Sequence, residues 1–183
     1  MKRILTLALF FSFTLSHAQN NTNILPGHSI HGGLLYTTQT YNGGPFLDYQ
    51  YYLDDQISYS IKAGMTGMLI QNDSSGIFLS AGMNFRFLSL RKPLKDRFFN
   101  AEPYAGFYPF SLDFVMINTD NEDDPDSRFG LTPSGIIGCT LIFANRIDLD
   151  FHGGFGLSFR MAGKAGESLQ PVAYAGLSLG YRF

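Results

Sequence analysis

Asp150 and His152 stand two residues apart within the stretch 147–161. In an extended chain, positions two apart project from one face. A carboxylate beside an imidazole is the orienting half of a hydrolytic triad, which also needs a serine or similar nucleophile within hydrogen-bond reach. Ser158 shares the face but lies roughly 20 Å along the strand at ~3.3 Å per residue. A serine on a neighbouring strand, such as Ser178, is the nearer candidate. The plainer reading makes His152 a member of a buried polar network. His28 and His31, three apart on an extended segment, would face opposite ways and supply too few ligands for a metal. No catalytic residue, metal or cofactor is expected.

The same parity gathers a larger set of charges. Lys62, Arg86, Arg160 and Arg182 fall on the less apolar faces of their segments, as do Asp48, Glu102, Asp113, Asp148 and Asp150, with His31 and His152 beside them. Cations and acids are nearly balanced. Buried charges persist only when paired and hydrogen-bonded. The expected chemistry is therefore an ionic network, with bidentate arginine–carboxylate pairs as its strongest links. A conduction or proton path is the functional alternative. Outside this set, the segment 118–128 holds Asp120, Glu122, Asp123, Asp124 and Asp126. It has Pro125 where a calcium loop needs a turn glycine, and no terminal glutamate. It reads as a solvated acidic loop, with divalent-cation bridging to lipopolysaccharide as the second reading. Arg91, Lys92, Lys95 and Arg97 form a basic connection suited to anionic head groups.

Strands must position these groups. Ile147, Leu149, Phe151, Phe155, Leu157, Phe159 and Met161 alternate with Asp148, Asp150, His152, Gly154, Gly156, Ser158 and Arg160. The last stretch repeats the pattern, with Ala173, Ala175, Leu177, Leu179, Tyr181 and Phe183 on one face and small or polar residues on the other. Eight such segments are expected, over about 29–40, 46–53, 57–70, 77–88, 98–117, 129–143, 147–161 and 172–183. Pro109 marks a slip of phase in the fifth, because Phe110, Leu112 and Phe114 switch parity relative to Phe99, Ala105 and Phe107. Turn-forming residues at 42–45, 71–76, 118–128 and 162–170 would share one rim. The connections 54–56, 90–97 and 145–146 would share the other, with both termini.

The chain has 183 residues, 18 Phe, 10 Tyr, 20 Gly and one cysteine, and only 15% of it is charged, against a usual ~25%. Residues 1–18 read as a secretory signal peptide, with a basic start (Lys2, Arg3), an apolar core and a Ser16-His17-Ala18 cleavage site. Without those two cations, 11 basic residues face 15 acids, a net charge of −4, which excludes a nucleic-acid binder. Residues 19–183 then form one domain, opening with a short polar tail at 19–28. Cys139 falls on the apolar face as a small residue.

Segments of about ten alternating residues separated by turns are the signature of an all-β, eight-stranded antiparallel up-and-down transmembrane β-barrel. A secreted soluble barrel would hide its apolar face inside and show lysine and glutamate outside. Here the second face is mostly glycine, serine, threonine and tyrosine, which suits the crowded bore of eight strands. Tyr49, Tyr51, Phe85, Phe87, Phe143, Tyr181 and Phe183 lie near strand ends, as interfacial aromatics do.

With its leader, its eight alternating segments and its terminal Gly180-Tyr181-Arg182-Phe183, the chain resembles the small outer-membrane barrels of the OmpA/OmpX/OmpW type. It resembles, more loosely, the porin-like barrels of Bacteroidota. That resemblance implies a cell outer-membrane location, with lipid and lipopolysaccharide as neighbours. It also implies assembly by the barrel-assembly machinery, with Tyr181 and Phe183 in the C-terminal signal. The His-x-Ser-Asn pattern associated with lipid A deacylases is absent, and His28-Ser29-Ile30-His31 only echoes it. The expected function is that of a monomeric, non-enzymatic integral surface protein with a filled polar lumen. Passage of small hydrophobic molecules is one alternative. It needs an apolar outer half of the lumen, which Tyr36, Tyr104 and Phe110 supply poorly. A lipid-active enzyme is the other.

Overall fold

The computed structural model describes residues 27–38, 42–53, 56–68, 74–87, 99–117, 126–144, 146–162 and 169–183. The leader, the basic connection, and Asp120, Glu122, Asp123 and Asp124 of the acidic loop lie outside the described residues. Asp126 opens a strand.

The described residues form nine extended segments in order: β1 (His28–Thr37), β2 (Asn42–Tyr52), β3 (Ile57–Thr66), β4 (Ser74–Arg86), β5 (Phe99–Ile117), β6 (Asp126–Leu131), β7 (Ser134–Phe143), β8 (Ile147–Ala162) and β9 (Leu169–Arg182). Neighbours pair antiparallel, and β9 returns to pair with β1, which closes the ring. The short β6 and β7 are one stave broken at Thr132-Pro133. β5 pairs with β6 through Leu112–Ile117 and with β7 through Phe99–Tyr108, and both segments pair with β8. The fold is thus an eight-staved up-and-down barrel. Among the described residues, closure leaves no unpaired sheet edge.

Several expected boundaries move. Asn42 to Pro45, expected as a loop, belong to β2 and pair with Thr37 to Leu34. Their glycines serve close approach rather than a turn: a Cβ on Gly44 would stand 2.1 Å from the Met65 carbonyl oxygen. His28, assigned to the polar tail, is already paired with Tyr51. Residues 74–76, 126–128 and 169–171 likewise belong to strands that were expected to begin only after them.

The slip in β5 is a bulge. Ala81 pairs with Phe110 but Met83 pairs with Phe107, so Tyr108 and Pro109 together oppose Gly82. One extra residue exchanges the faces of everything beyond it. Tyr104 and Tyr108 are therefore buried before the bulge, and Asp113 and Val115 after it.

The two faces of the barrel are inverted relative to a water-soluble fold. Ile30, Leu47, Ile61, Leu79, Phe110, Ile137, Phe155 and Leu177 are exposed, Ile137 at 72% and Phe155 at 76%. Inside, the buried side chains are mostly polar. Call lower the rim where β1 begins and β9 ends. The seven aromatics singled out near strand ends all belong to this rim, because β2, β4, β7 and β9 finish there.

Candidate functional site

Alternation sends every second residue into the bore, and an eight-stranded bore has room only for side chains. Its charged residues stack in tiers.

The lower tier is built from seven staves. Arg182 of β9 donates through Nε to both carboxylate oxygens of Asp148 on β8, at 2.8 and 2.7 Å, and through Nη2 to Glu102 of β5 at 3.3 Å. Arg86 of β4 approaches Glu102 at 3.3 Å and donates to Gln50 and Ser58 at 3.3 and 3.2 Å. Both guanidinium groups lie over the Tyr52 ring of β2, that of Arg86 at 4.5 Å and that of Arg182 at 5.1 Å from its centroid. The ring therefore receives two cations. His31 of β1 completes the tier, 3.6 Å from Asp148 and 2.8 Å from Ser29. Two arginines meet two carboxylates, and Asp148 is 0% exposed.

In the middle tier, Asp150 accepts from Thr140 at 2.9 Å and from Tyr104 at 3.1 Å, and pairs with His152 Nδ1 at 2.8 Å. Asp48 accepts from Ser60 at 2.6 Å and Gln50 at 2.8 Å. Lys62 stands 3.9 Å from Asp48 with its ammonium over the Tyr108 ring. In the upper tier, Thr132 donates to Asp113 at 2.6 Å. Asp113, Arg128, Ser158, Arg160 and Gln170 surround a small void of about 10 Å³.

Glycines on adjacent staves make room for the rings. A Cβ on Gly180 would stand 2.5 Å from His31 Nδ1, one on Gly176 would stand 2.4 Å from His152 Nε2, and one on Gly138 would stand 2.5 Å from the Tyr104 ring. Gly180 lies between His31 and Asp148 in the sheet, so the histidine reaches its acid across a bare Cα. Gly180→Val is expected to destabilise the barrel by about 1–3 kcal/mol through overpacking. The urea midpoint of the folded fraction measures it, and an unchanged midpoint would mean that the His31 ring moves aside freely.

This geometry bears on the triad reading. Nδ1 of His152 faces Asp150, but Nε2 faces Gly176, where a triad needs the nucleophile. Ser178 is paired with Asp150, one inward position away. Ser158 belongs to the upper tier. His31 points inward and His28 outward, where His28 bonds the Tyr49 hydroxyl at 2.6 Å. Among the described residues no group of three His, Cys, Asp or Glu converges on a metal-sized site. Cys139 is half-buried on the outer face, beside Phe151 and Pro103.

The site contains groups that charge parity alone did not select. Tyr52, Tyr104, Tyr108, Gln50 and Asn84 occupy inward positions, which the alternation of their strands assigns them. Arg128 was assigned to a loop and belongs to β6. Between the middle and upper tiers lies a cavity of about 70 Å³. Leu35, Phe78, Val115, Ile136 and Val172 supply its apolar wall, and Lys62 and His152 also line it. Tyr36 and Phe110, weighed as lumen aromatics, face outward at 44% and 66% exposure.

No family model and no curated protein matches the chain. Solved structures do. Neisserial surface protein A superposes with a TM-score of 0.60 at 13% identity, over 86% of this chain and 97% of that one. The N-terminal β-barrel domain of Pseudomonas aeruginosa OprF gives 0.58 at 12% identity, over 86% and 98%. Ail, the attachment invasion locus protein of Yersinia pestis, gives 0.52 at 15% identity, over 86% and 99%. These are small outer-membrane barrels, and at such identities the likeness is one of fold.

Proposed function

We propose that the chain is a monomeric, non-enzymatic integral protein of the cell outer membrane. Its outer loops would meet the surroundings, and its bore is closed by the lower tier. The observation that carries this reading is the inversion of the barrel, with a continuous apolar outer face around a buried ionic interior. Such a surface is unstable in water and suited to lipid. The leader at 1–18 would direct export, and Tyr181 and Phe183 would be read by the assembly machinery. Lipids and lipopolysaccharide would be the immediate partners. The same architecture carries a surface protein in Neisseria and an attachment protein in Yersinia pestis, so it is compatible with work done at the loops.

Gel mobility of the membrane fraction, boiled against unboiled, tests the membrane reading. A faster unboiled band is expected. An unshifted band in the soluble fraction would turn the apolar face inward and end the proposal. The plug makes a separate prediction: the barrel reconstituted in a planar bilayer shows no unitary conductance steps. Regular steps of porin size would show that ions pass the Arg86–Glu102–Arg182 tier.

A second reading, uptake of small hydrophobic molecules, is favoured by one observation: the apolar-walled cavity of about 70 Å³ above the middle tier. The lower tier makes that cavity blind from below. Movement through the wall, rather than down the axis, would be its only exit on that side.

A further inference from the structure

The lower rim carries an outward group that the ionic interior does not use. Arg146 sits in the turn between β7 and β8, half-buried, and its Nη1 donates to the Tyr181 hydroxyl at 2.9 Å. Its backbone fastens the turn, receiving the Arg182 N–H at 2.8 Å and donating to Phe143 at 3.1 Å. Among the described residues no carboxylate pairs with this guanidinium, in contrast to Arg86 and Arg182. Guanidinium is built for bidentate oxyanion recognition, and Nη1 engaged by a phenol leaves its other donors to point outward.

The surface beside it is shaped for chains. Tyr181 pairs with Ile147, Leu179 with Leu149, and Leu177 with Phe151. These pairs form a column of outward apolar side chains running from Arg146 along the barrel wall. On the far side of Tyr181, Phe183 stacks on His28 with ring centroids 5.8 Å apart, and His28 bonds Tyr49 at 2.6 Å. An aromatic and hydroxyl-bearing belt of this kind belongs at a membrane–water boundary.

We infer that Arg146 and Tyr181 form a headgroup site for one glycerophospholipid of the leaflet at the lower rim. Its phosphodiester is held by the guanidinium and the phenol, and an acyl chain lies along Leu179 and Leu149. The inference rests on the membrane reading above. It adds a fixed lipid at a named place, where that reading requires only a solvent of lipid.

The test is native mass spectrometry of the full barrel released from detergent containing phosphatidylglycerol. Wild type is expected to retain one lipid per barrel. Arg146→Gln is expected to retain about fivefold less, the factor for one basic residue at an anionic surface, and Arg146→Lys an intermediate amount. Inorganic phosphate at millimolar concentration should not displace the lipid, because the acyl chain contributes to its hold. Equal retention by wild type and Arg146→Gln, with both still showing the heat-dependent mobility shift, would overturn the site and leave the membrane barrel standing. Displacement by phosphate alone would overturn the lipid in favour of a simple anion site. Loss of the mobility shift in wild type would overturn both.

Discussion

Arg182→Leu is expected to cost the barrel about 3–5 kcal/mol, the scale for removing one partner of a buried ion pair. The substitution strips Asp148 of both its short hydrogen bonds and Glu102 of one of its two cations. Asp148 is 0% exposed and, among the described residues, keeps only His31 at 3.6 Å as a charged neighbour. The double variant Arg182→Leu with Asp148→Leu should recover a large part of the loss, because it leaves no isolated charge at that point. Urea titration of the folded fraction in vesicles, read by gel mobility, measures all three proteins. A loss under about 1 kcal/mol for Arg182→Leu is what a solvated pair gives. It would mean that water reaches the lower tier.

Ile137→Arg is expected to cost about 2–4 kcal/mol, the range for a cation facing the centre of a bilayer. Ile137 is 72% exposed and pairs with Gly153 near the middle of β8. On a water-facing surface the same change would fall within about 0.5 kcal/mol of neutral. The two environments therefore predict different numbers for one residue. A midpoint unchanged within that margin would remove lipid from this face. The same titration applies, so the interior and exterior of the barrel are tested on one scale.

How far these features were visible in the sequence depends on what each rests on. The staves and the inward set were legible because the two faces of each strand differ in chemistry at every second residue. Asp148, Asp150, His152 and Arg160 against Ile147, Leu149 and Phe151 leave no other phase for β8. The bulge at Tyr108-Pro109 was legible for the same reason, as the exposed series jumps from Phe107 to Phe110. The ends of strands were not. Gly43, Gly44 and Pro45 have the composition of a turn, and only the neighbouring Met65 backbone reveals that they are strand residues in a tight place. The break at Thr132-Pro133 was hidden because each half remains paired with both β5 and β8. Parity names the residues that enter the bore but not their partners. Those depend on the stagger between strands, which brings Arg182 to Glu102 across the bore. The apolar cavity was missed because it is assembled from single residues of many staves.

The Arg–Tyr–Arg layer has a consequence for the order of assembly. Asp148, Glu102, Arg86 and Tyr52 all precede β9 in the chain, and the second guanidinium arrives only with Arg182. An unfinished barrel thus has one more acid than arginine at this level, and each such acid is costly to dehydrate. The sheet gains its full reason to shut only when the last strand is in register against both β8 and β1. A barrel that must carry its own counter-charge on its final strand resists premature closure, and a slipped seam would leave that charge at the wrong height.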